Sequence, residues 1–236
     1  MHRFYAPPQS FVSKKIFLEE EETKHLRGVL RLCKGSIVRV FDGKGREFLC
    51  RIEKIDRKYS EALILQECEP KSPESSFDLH LAVSLIKGEK FDVVIQKAVE
   101  LGVKSLTPLI TKRSEVKPSE KKQKRWQNIV IQASKQCGRA KLMEIHAVSS
   151  FRDFIEKSSS KLILFSERDG KSFSEVPYFS ELTAIIGPEG GWDDEELRLA
   201  RNKGVLVVSL GGRTLRAETA SIVAATILQH RFGDLR

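Results

Sequence analysis

The sequence has few of the features that mark membrane, secreted and metal-binding proteins. No run of apolar residues approaches the roughly 20 needed to cross a bilayer, and the N-terminal segment MHRFYAPPQSF lacks the apolar core of a signal peptide. The four cysteines, Cys33, Cys50, Cys68 and Cys137, form no CxxC pair, so small core residues are a better interpretation than disulfides or a zinc site. We therefore expect a cytoplasmic protein that binds no metal.

The charge balance is strongly basic. The 236 residues include 41 lysines and arginines against 32 aspartates and glutamates, which gives a formal net charge of +9. Such an excess attracts polyanions without selecting a particular site. Many basic proteins bind no nucleic acid, so the charge alone leaves open whether nucleic acid is a partner.

The first 70 residues have the pattern of a small β-barrel. Alternating apolar residues predict strands at Ser36–Phe41, Glu47–Ile55 and Glu61–Leu65, and Asp42–Gly45 is typical of a hairpin turn. One helix is expected to interrupt these strands, at about Glu20–Leu32. Short, closely spaced strands with a single helix indicate a barrel.

The segment after residue 70 is typical of a linker, because it is rich in proline and serine and has no periodic apolar pattern. We therefore predict a barrel domain at residues 1–70, a linker at 71–76 and a second domain at 77–236.

From residue 77 the pattern changes to alternating strands and helices. Strands are predicted at Leu79–Ile86, Leu106–Ile110, Leu162–Phe165, Leu182–Ile186 and Val205–Leu210. Helices are predicted at Glu89–Leu101, Glu120–Cys137, Asp194–Asn202 and Ala217–Arg231, with Gly102 at a left-handed helix end. This alternation predicts an α/β domain with a parallel sheet, whose ligands bind beyond the carboxyl ends of the strands.

Two glycine-rich corners follow predicted strands at that edge of the sheet. The first is GPEGG at Gly187–Gly191, and the second begins at Gly211–Gly212. Neither corner is a GxGxxG dinucleotide motif or a phosphate-binding P-loop, and the acidic residues around the first corner would repel phosphate. The corners are either tight turns that need glycine for geometry or sites where a neutral or cationic small molecule contacts the backbone.

The chain resembles the bacterial 16S rRNA (uracil-N3)-methyltransferases, a group within the SPOUT superfamily. The matching motifs cover essentially the whole sequence in the expected order. They are HRFY at His2–Tyr5, QKAVELGV at Gln96–Val103, KRS at Lys112–Ser114, QASKQCGR at Gln132–Arg139, IGPEGG at Ile186–Gly191 and LGGRTLRAETA at Leu210–Ala220.

This resemblance implies a PUA-like barrel for the first domain and a SPOUT domain with a trefoil knot for the second. It also implies that S-adenosylmethionine binds to three loops at the carboxyl edge, Phe165–Glu167, Gly187–Gly191 and Leu210–Thr219. The implied cofactor-binding residues are Phe165, Ser166, Gly187, Pro188, Glu189, Gly190, Gly191, Leu210, Gly211, Leu215, Arg216, Ala217 and Thr219. Glu167, next to Ser166, lies in the first of these loops.

Methylation of uridine N3 requires that its proton leave and that the resulting anion be stabilised. Arg216 is the candidate for stabilising the anion, because a guanidinium stays charged. Glu218 or Glu189 is the candidate for accepting the proton, directly or through water. The alternatives are that Arg216 forms a structural ion pair with Glu218 and that Glu218 only stabilises the start of a helix.

Basic and polar side chains on the helix Glu120–Cys137 and in the barrel are candidates for RNA contacts. The predicted RNA-binding residues are Arg3, Arg27, Arg31, Lys112, Arg113, Lys121, Lys124, Arg125, Gln132, Gln136 and Arg139. Arg27 and Arg31 are four residues apart and are expected to share a helix face. Aromatic residues make up only 8% of the chain, which favours recognition of folded RNA by shape and backbone.

The leading hypothesis is a homodimeric methyltransferase that acts on 16S rRNA of the small ribosomal subunit. One alternative is an RNA-binding or ribosome-assembly factor that has kept the fold and lost turnover. Another is a SPOUT enzyme that methylates tRNA or a ribose 2′-hydroxyl.

Overall fold

Residues near the N-terminus form a mainly antiparallel sheet, as their alternating pattern predicts. The computed structural model describes residues 1–116 and 119–235, and the chain divides into two units. The first unit consists of Met1–Glu74 and Ile131–Leu142. Its strands are β1 (Arg3–Tyr5), β2 (Phe11–Val12), β3 (Lys15–Leu18), β4 (Ile37–Phe41), β5 (Glu47–Ile55) and β6 (Ser60–Cys68), in the sheet order β1-β4-β5-β6-β3-β2. Strands β1 and β4 are parallel, and the other pairs are antiparallel.

The predicted helix at Glu20–Leu32 is shorter and less regular than expected. The α-helix α1 covers only Glu20–Lys24 and continues as one π-helical turn, His25–Val29. The wider turn changes the spacing of side chains, so Val29 is 68% exposed instead of lying on a buried face with Leu26. Arg31 lies beyond the turn with a φ of 51°. The prediction that Arg27 and Arg31 share a helix face is therefore wrong.

A buried ion pair connects two strands of the first unit. The Arg3 guanidinium donates to both carboxylate oxygens of Glu47, at 2.9 and 3.0 Å, and to the carbonyls of Ser134, Lys135 and Arg139. The Glu47 side chain is fully buried and the Arg3 side chain is 5% exposed. These bonds satisfy the guanidinium, as a buried charge requires.

The pKa of Glu47 shows that the fold favours its charged form. Burial raises this pKa, but the hydrogen bond and charge of Arg3, the Lys71 N–H and the charge of Arg39 outweigh burial and lower it. A carboxyl whose pKa is lowered by folding stabilises the folded state above its unfolded pKa. That contribution is lost as the pH falls through the folded pKa.

The second unit, Ser75–Val130 and Met143–Arg236, contains an eight-stranded sheet in which every pair of strands is parallel. Its strands are β7 (Asp78–Ser84), β8 (Ser105–Ile110), β9 (Glu144–Ile145), β10 (Ser149–Ser150), β11 (Leu162–Phe165), β12 (Lys171–Ser172), β13 (Glu181–Ile186) and β14 (Leu206–Ser209). The order is β10-β8-β7-β13-β11-β14-β12, and β9 also pairs with β8.

The remaining helices are α2 (Lys90–Glu100), α3 (Glu120–Cys137), α4 (Phe151–Lys157), α5 (Asp194–Asn202) and α6 (Ala217–Phe232). The predicted α/β class with a parallel sheet is confirmed, and Gly102 has the expected left-handed conformation, with a φ of 73°. Helix α4 was not predicted, although Ser150 caps it by accepting from the Asp153 N–H at 3.0 Å. The trefoil knot stays a prediction. Among the described residues, no helix has the length and apolar character that crossing a membrane requires.

We predict that Glu47→Ala lowers the free energy of unfolding by about 3–5 kcal/mol, because it leaves the Arg3 charge buried without its partner. The control is Glu67→Ala, which removes a pair with Arg46 whose side chains are 52% and 60% exposed and which should cost at most about 1 kcal/mol. Urea unfolding of both variants measures the difference. Equal losses would show that the buried pair does not stabilise the fold.

Candidate active site at the carboxyl edge of the parallel sheet

The ends of three neighbouring strands surround one open pocket. Phe165, the last residue of β11, is in register with Ile186, the last residue of β13, and with Val208 of β14. The loops that follow these strands therefore start side by side. The pocket has an empty volume of about 490 Å³ and is lined by Phe165, Ser166, Glu167, Ile186, Gly187, Pro188, Trp192, Leu210, Gly211, Arg213, Leu215, Ala217 and Ala220.

Trp192 ties the first glycine corner to the neighbouring strand end. Its indole N–H donates to the Phe165 carbonyl at 2.8 Å, and its ring packs on Phe151 with 5.0 Å between ring centroids. A Cβ on Gly187 would lie 2.8 Å from the Trp192 Cε2 atom. Gly187 is therefore required because the indole lies against it. This confirms the view that some glycines of the corner serve geometry.

The remaining glycines of the two corners differ in their surroundings. Gly191 has a φ of 70°, and a Cβ there would lie 2.5 Å from the Glu167 carboxylate. Gly211 also has a positive φ, of 107°, but neither it nor Gly212 has a heavy atom within 4 Å of the position of a Cβ. The second corner therefore leaves free space beside its backbone, which a ligand can fill.

Two acidic residues of the first corner pair with the turn that follows β8. The Lys112 ammonium pairs with Asp193 at 3.1 Å and also with Glu195, and Arg113 donates to the Gly190 carbonyl at 2.9 Å. The hydrogen bond to Lys112 is the main cause that lowers the pKa of both carboxyls. Lys112 and Arg113 therefore form their contacts with the first glycine corner.

The buried side chain of Glu196 connects the turn after β8 to the start of helix α5. Its carboxylate is 6% exposed and accepts from the Asp193 N–H at 3.2 Å and from the Lys112 N–H at 2.9 Å. Asp193 in turn accepts from the Glu195 N–H, and together with Glu196 it forms a capping box at the start of α5. The corner therefore has a defined shape without a ligand.

The three candidate catalytic residues have different environments. Glu189 pairs with Lys90 at 2.5 Å, and this hydrogen bond is the main cause that lowers the pKa of Glu189. Glu218 lies in the first turn of α6, and its Oε2 atom is buried without a hydrogen-bond partner among the described residues. Arg216 is exposed at the N-cap of α6 and makes no ion pair with a described acidic side chain.

Eight of the predicted cofactor-binding residues line the pocket: Phe165, Ser166, Gly187, Pro188, Leu210, Gly211, Leu215 and Ala217. Glu189, Gly190, Gly191, Arg216 and Thr219 are not among the lining residues. Ile186, Trp192 and Ala220 were not predicted as lining residues, and Arg213 was expected only as part of the loop Leu210–Thr219. Ala220 could have been predicted from the sequence, because it is three residues after Ala217 and falls on the same helix face.

The predicted RNA-binding residues fall into two groups. Arg27, Arg31, Lys112, Arg113, Lys121, Lys124, Arg125, Gln132 and Gln136 are exposed. Arg3 and Arg139 are 8% and 4% exposed, and Arg139 donates to both Glu74 oxygens, at 3.1 and 2.7 Å. Helix α3 ends at Cys137 and Gly138 has a φ of 97°, so Arg139 does not continue the face of Gln132 and Gln136. Arg3 and Arg139 hold the first unit together and leave no guanidinium for RNA.

The pocket has the properties that S-adenosylmethionine requires. Apolar side chains such as Leu210 and Leu215 line it and can pack against an adenine ring. The free space beside Gly211 admits a ligand to the backbone. The carboxylate of Glu167 lines the pocket and suits a cationic ligand. Within residues 1–116 and 119–235, no cluster of His, Cys, Asp and Glu side chains could hold a metal ion.

We predict that Gly187→Ala destabilises the protein by about 1–3 kcal/mol, because the added methyl group overpacks the site against Trp192. The indole cannot move without losing its buried hydrogen bond to Phe165. Gly28→Ala is the control, since no heavy atom lies within 4 Å of a Cβ there. Thermal unfolding compares the two variants, and an unchanged midpoint for Gly187→Ala would contradict the close packing described here.

Comparison with known proteins assigns both units. Residues 73–229 match the model of an RNA methyltransferase domain, and residues 18–65 match an RNA methyltransferase PUA domain. The ribosomal RNA small subunit methyltransferase E of Synechocystis is 33% identical over 231 residues, which cover 94% of this chain and 75% of that protein.

Two solved structures have the same fold over their whole length. A Legionella pneumophila protein in complex with the cofactor SAM is 37% identical, with a TM-score of 0.92 and coverage of 99% of this chain and 98% of that one. The ribosomal RNA small subunit methyltransferase E of Neisseria gonorrhoeae, bound to S-adenosyl methionine, is 32% identical, with a TM-score of 0.92 and full coverage of both chains. With a matching domain model over most of its length, this chain belongs to the family of RNA methyltransferases represented by ribosomal RNA small subunit methyltransferase E.

Proposed function

We propose that this chain transfers a methyl group from S-adenosylmethionine to N3 of a uridine in 16S rRNA of the small ribosomal subunit. The observation that carries this function is the pocket at the carboxyl edge, where the ends of β11, β13 and β14 converge in a chain of this family. The pocket fits the cofactor, and the residues beside it include an exposed cation, Arg216, and a partly buried carboxylate, Glu218, suited to the reaction. When bound, S-adenosylmethionine supplies an electrophilic methyl group on a sulfonium.

The residues of this chain have to make uridine N3 nucleophilic. Removal of the N3 proton leaves a negative charge on the uracil oxygens, which a fixed cation stabilises. Arg216 is suited to this role, because it is exposed beside the pocket residues Leu215 and Ala217 and no described carboxylate neutralises it. An ion pair between Arg216 and Glu218, the structural alternative, is absent from the described contacts.

Glu218 is the better of the two candidates for the proton acceptor. Lys90 stabilises the charged form of Glu189 and lowers its pKa, which makes Glu189 a weaker base. Oε2 of Glu218 has an unused acceptor position. Because this atom is shielded from solvent, we infer that the proton reaches it through a relay such as a water molecule.

The RNA-binding surface of each unit is a further part of the proposal. Residues 1–70 act as the PUA-like RNA-binding domain, residues 71–76 as a linker and residues 77–236 as the methyltransferase domain. In the first unit Arg27, Arg31, Gln132 and Gln136 are exposed and suited to contact folded RNA. In the second unit Lys121 and Lys124 are exposed and form no ion pair with a described side chain. Arg125 is less available, since it pairs with Glu89 at 3.1 Å and Asp92 at 2.5 Å.

We also propose that the protein works as a homodimer in the cytoplasm. Helix α6 is apolar on more than one side, since Ala224, Ala225 and Leu228 are buried while Ile222 and Ile227 are only half-buried. A helix with apolar residues around its circumference favours burial on several sides, and a second copy of the chain would provide it. Equilibrium sedimentation that detects only monomer at micromolar concentration would contradict the dimer.

The function is tested by methyl transfer from labelled S-adenosylmethionine to small subunits that lack the modification. We expect N3-methyluridine in the digested RNA, identified by mass spectrometry. A different methylated nucleoside would move the enzyme to another RNA target within the same fold. No transfer of label to any RNA would favour an RNA-binding or assembly factor.

We predict that Arg216→Ala lowers the turnover number by about 100-fold or more, the size of effect seen when one charge-stabilising donor is removed. The affinity for S-adenosylmethionine, measured by calorimetry, should change less than threefold. Glu218→Gln should lower turnover with the same unchanged affinity, while Arg198→Ala, an exposed residue of α5, serves as a control. Equal losses of turnover and cofactor affinity in Arg216→Ala would show that Arg216 binds the cofactor instead.

A further inference from the structure

The amino edge of the parallel sheet carries a long groove that no part of the proposed reaction uses. Its lining includes the first residues of four strands: Ser105 of β8, Leu162 of β11, Glu181 of β13 and Leu206 of β14. The cofactor pocket, in contrast, is lined by residues at the strands' carboxyl ends. The groove therefore lies at the opposite edge of the same sheet.

Two adjoining depressions form this groove. One has an empty volume of about 460 Å³ and is lined by polar groups that include His80, His146 and Thr183. The other is larger, with an empty volume of about 1220 Å³ that includes open solvent. Both share Ser158 and Ser160 in their linings, so they are continuous.

Three lysines line the larger depression, and none has an acidic partner among the described side chains. Lys161, Lys171 and Lys203 are all exposed. This sets them apart from other lysines of the second unit, such as Lys97, which pairs with Glu100 at 2.8 Å, and Lys157, which pairs with Asp153 at 3.0 Å.

Each carboxylate of the groove has a polar partner, but only Glu156 has a permanently charged one. Glu181 lies 3.8 Å from the His80 ring, and Glu156 pairs with Arg152 at 3.4 Å. Glu175 accepts from the Ser172 N–H at 3.1 Å as part of a helix cap. Three unpaired ammonium groups, those of Lys161, Lys171 and Lys203, therefore outnumber the two carboxylates whose charge no described cation cancels, and the Ser158 and Ser160 hydroxyls line the same groove.

We propose that this groove binds the phosphate backbone of the RNA substrate at a second place, away from the reacting uridine. Unpaired ammonium groups beside hydroxyl donors are the side chains that contact phosphate oxygens without reading sequence. The inference rests on the proposed function in one respect, that RNA is the macromolecular substrate. Contacts at both edges of the sheet favour a large folded RNA over a short oligonucleotide.

The test compares two triple variants that remove the same charge. One is Lys161→Ala/Lys171→Ala/Lys203→Ala in the groove, and the control is Lys97→Ala/Lys104→Ala/Lys157→Ala, in which every lysine has an acidic partner. Binding to protein-free 16S rRNA is measured by filter retention over a range of salt concentrations. Calorimetry with S-adenosylmethionine and thermal unfolding check that both variants are folded and bind the cofactor.

Each phosphate contact adds about 0.7–0.9 to the slope of log K against log salt concentration. We expect the groove variant to lower that slope by about two units and the control by less than about half a unit. Equal slopes in the two variants would overturn the proposal. A loss of affinity for intact small subunits with no loss for protein-free rRNA would also overturn it, because the groove would then contact a ribosomal protein.

This result is independent of the methylation test. A groove variant that binds RNA with a reduced slope supports the surface even if no N3-methyluridine forms. Conversely, wild-type protein that forms N3-methyluridine while the groove variant behaves like the control keeps the function and removes the surface.

Discussion

In a sheet whose strands all run in the same direction, the chain must return to the opposite edge after each strand. Every strand end therefore lies at one edge and every strand start at the other, and the two edges acquire different chemistry. In this protein the carboxyl edge gathers Phe165, Ile186 and Leu210 around the cofactor pocket. The amino edge gathers strand starts and unpaired lysines. The parallel arrangement is thus the constraint on which both proposed sites depend.

The carboxyl edge is ordered by contacts between loops that are distant in sequence. Trp192 reaches back to the Phe165 carbonyl, Glu196 reaches across to the Lys112 N–H, and the Glu167 carboxylate occupies the space that a side chain at Gly191 would need. Each contact joins two loops, so the pocket has its shape before a ligand binds. Preorganisation of this kind lowers the ordering cost of binding.

Much of this arrangement was predictable from the sequence, because it depends on local pattern. The strands and helices of the second unit follow from apolar periodicity, and the capping box of α5 follows from the spacing of Asp193 and Glu196. What the sequence does not carry is the identity of long-range partners. The sequence indicates that Gly187 contacts a ligand, but it does not show that Trp192 packs against this glycine. The sequence likewise indicates that Arg3 is a surface cation, whereas the structure pairs it with Glu47.

The first unit shows why a count of basic residues overstates the number of cations that are available to bind RNA. Arg3 pairs with Glu47, Arg139 with Glu74 and Lys135 with Glu22, and all three cations are largely buried. Burial raises the pKa of Glu22 and outweighs the charge and hydrogen bond of Lys135, which lower it. Such pairs fix the packing of the unit, and the remaining exposed cations carry its attraction for RNA.

The ion pairs within the first glycine corner bear on how salt affects the two ligands. Lys112 pairs there with Asp193 and Glu195 and Arg113 donates to the Gly190 carbonyl, whereas RNA must displace counterions from its own phosphates to bind. Ionic strength therefore acts on the two ligands unequally. As salt rises, we expect the affinity for RNA to fall more than the affinity for the nucleoside cofactor, because only RNA binding releases condensed counterions.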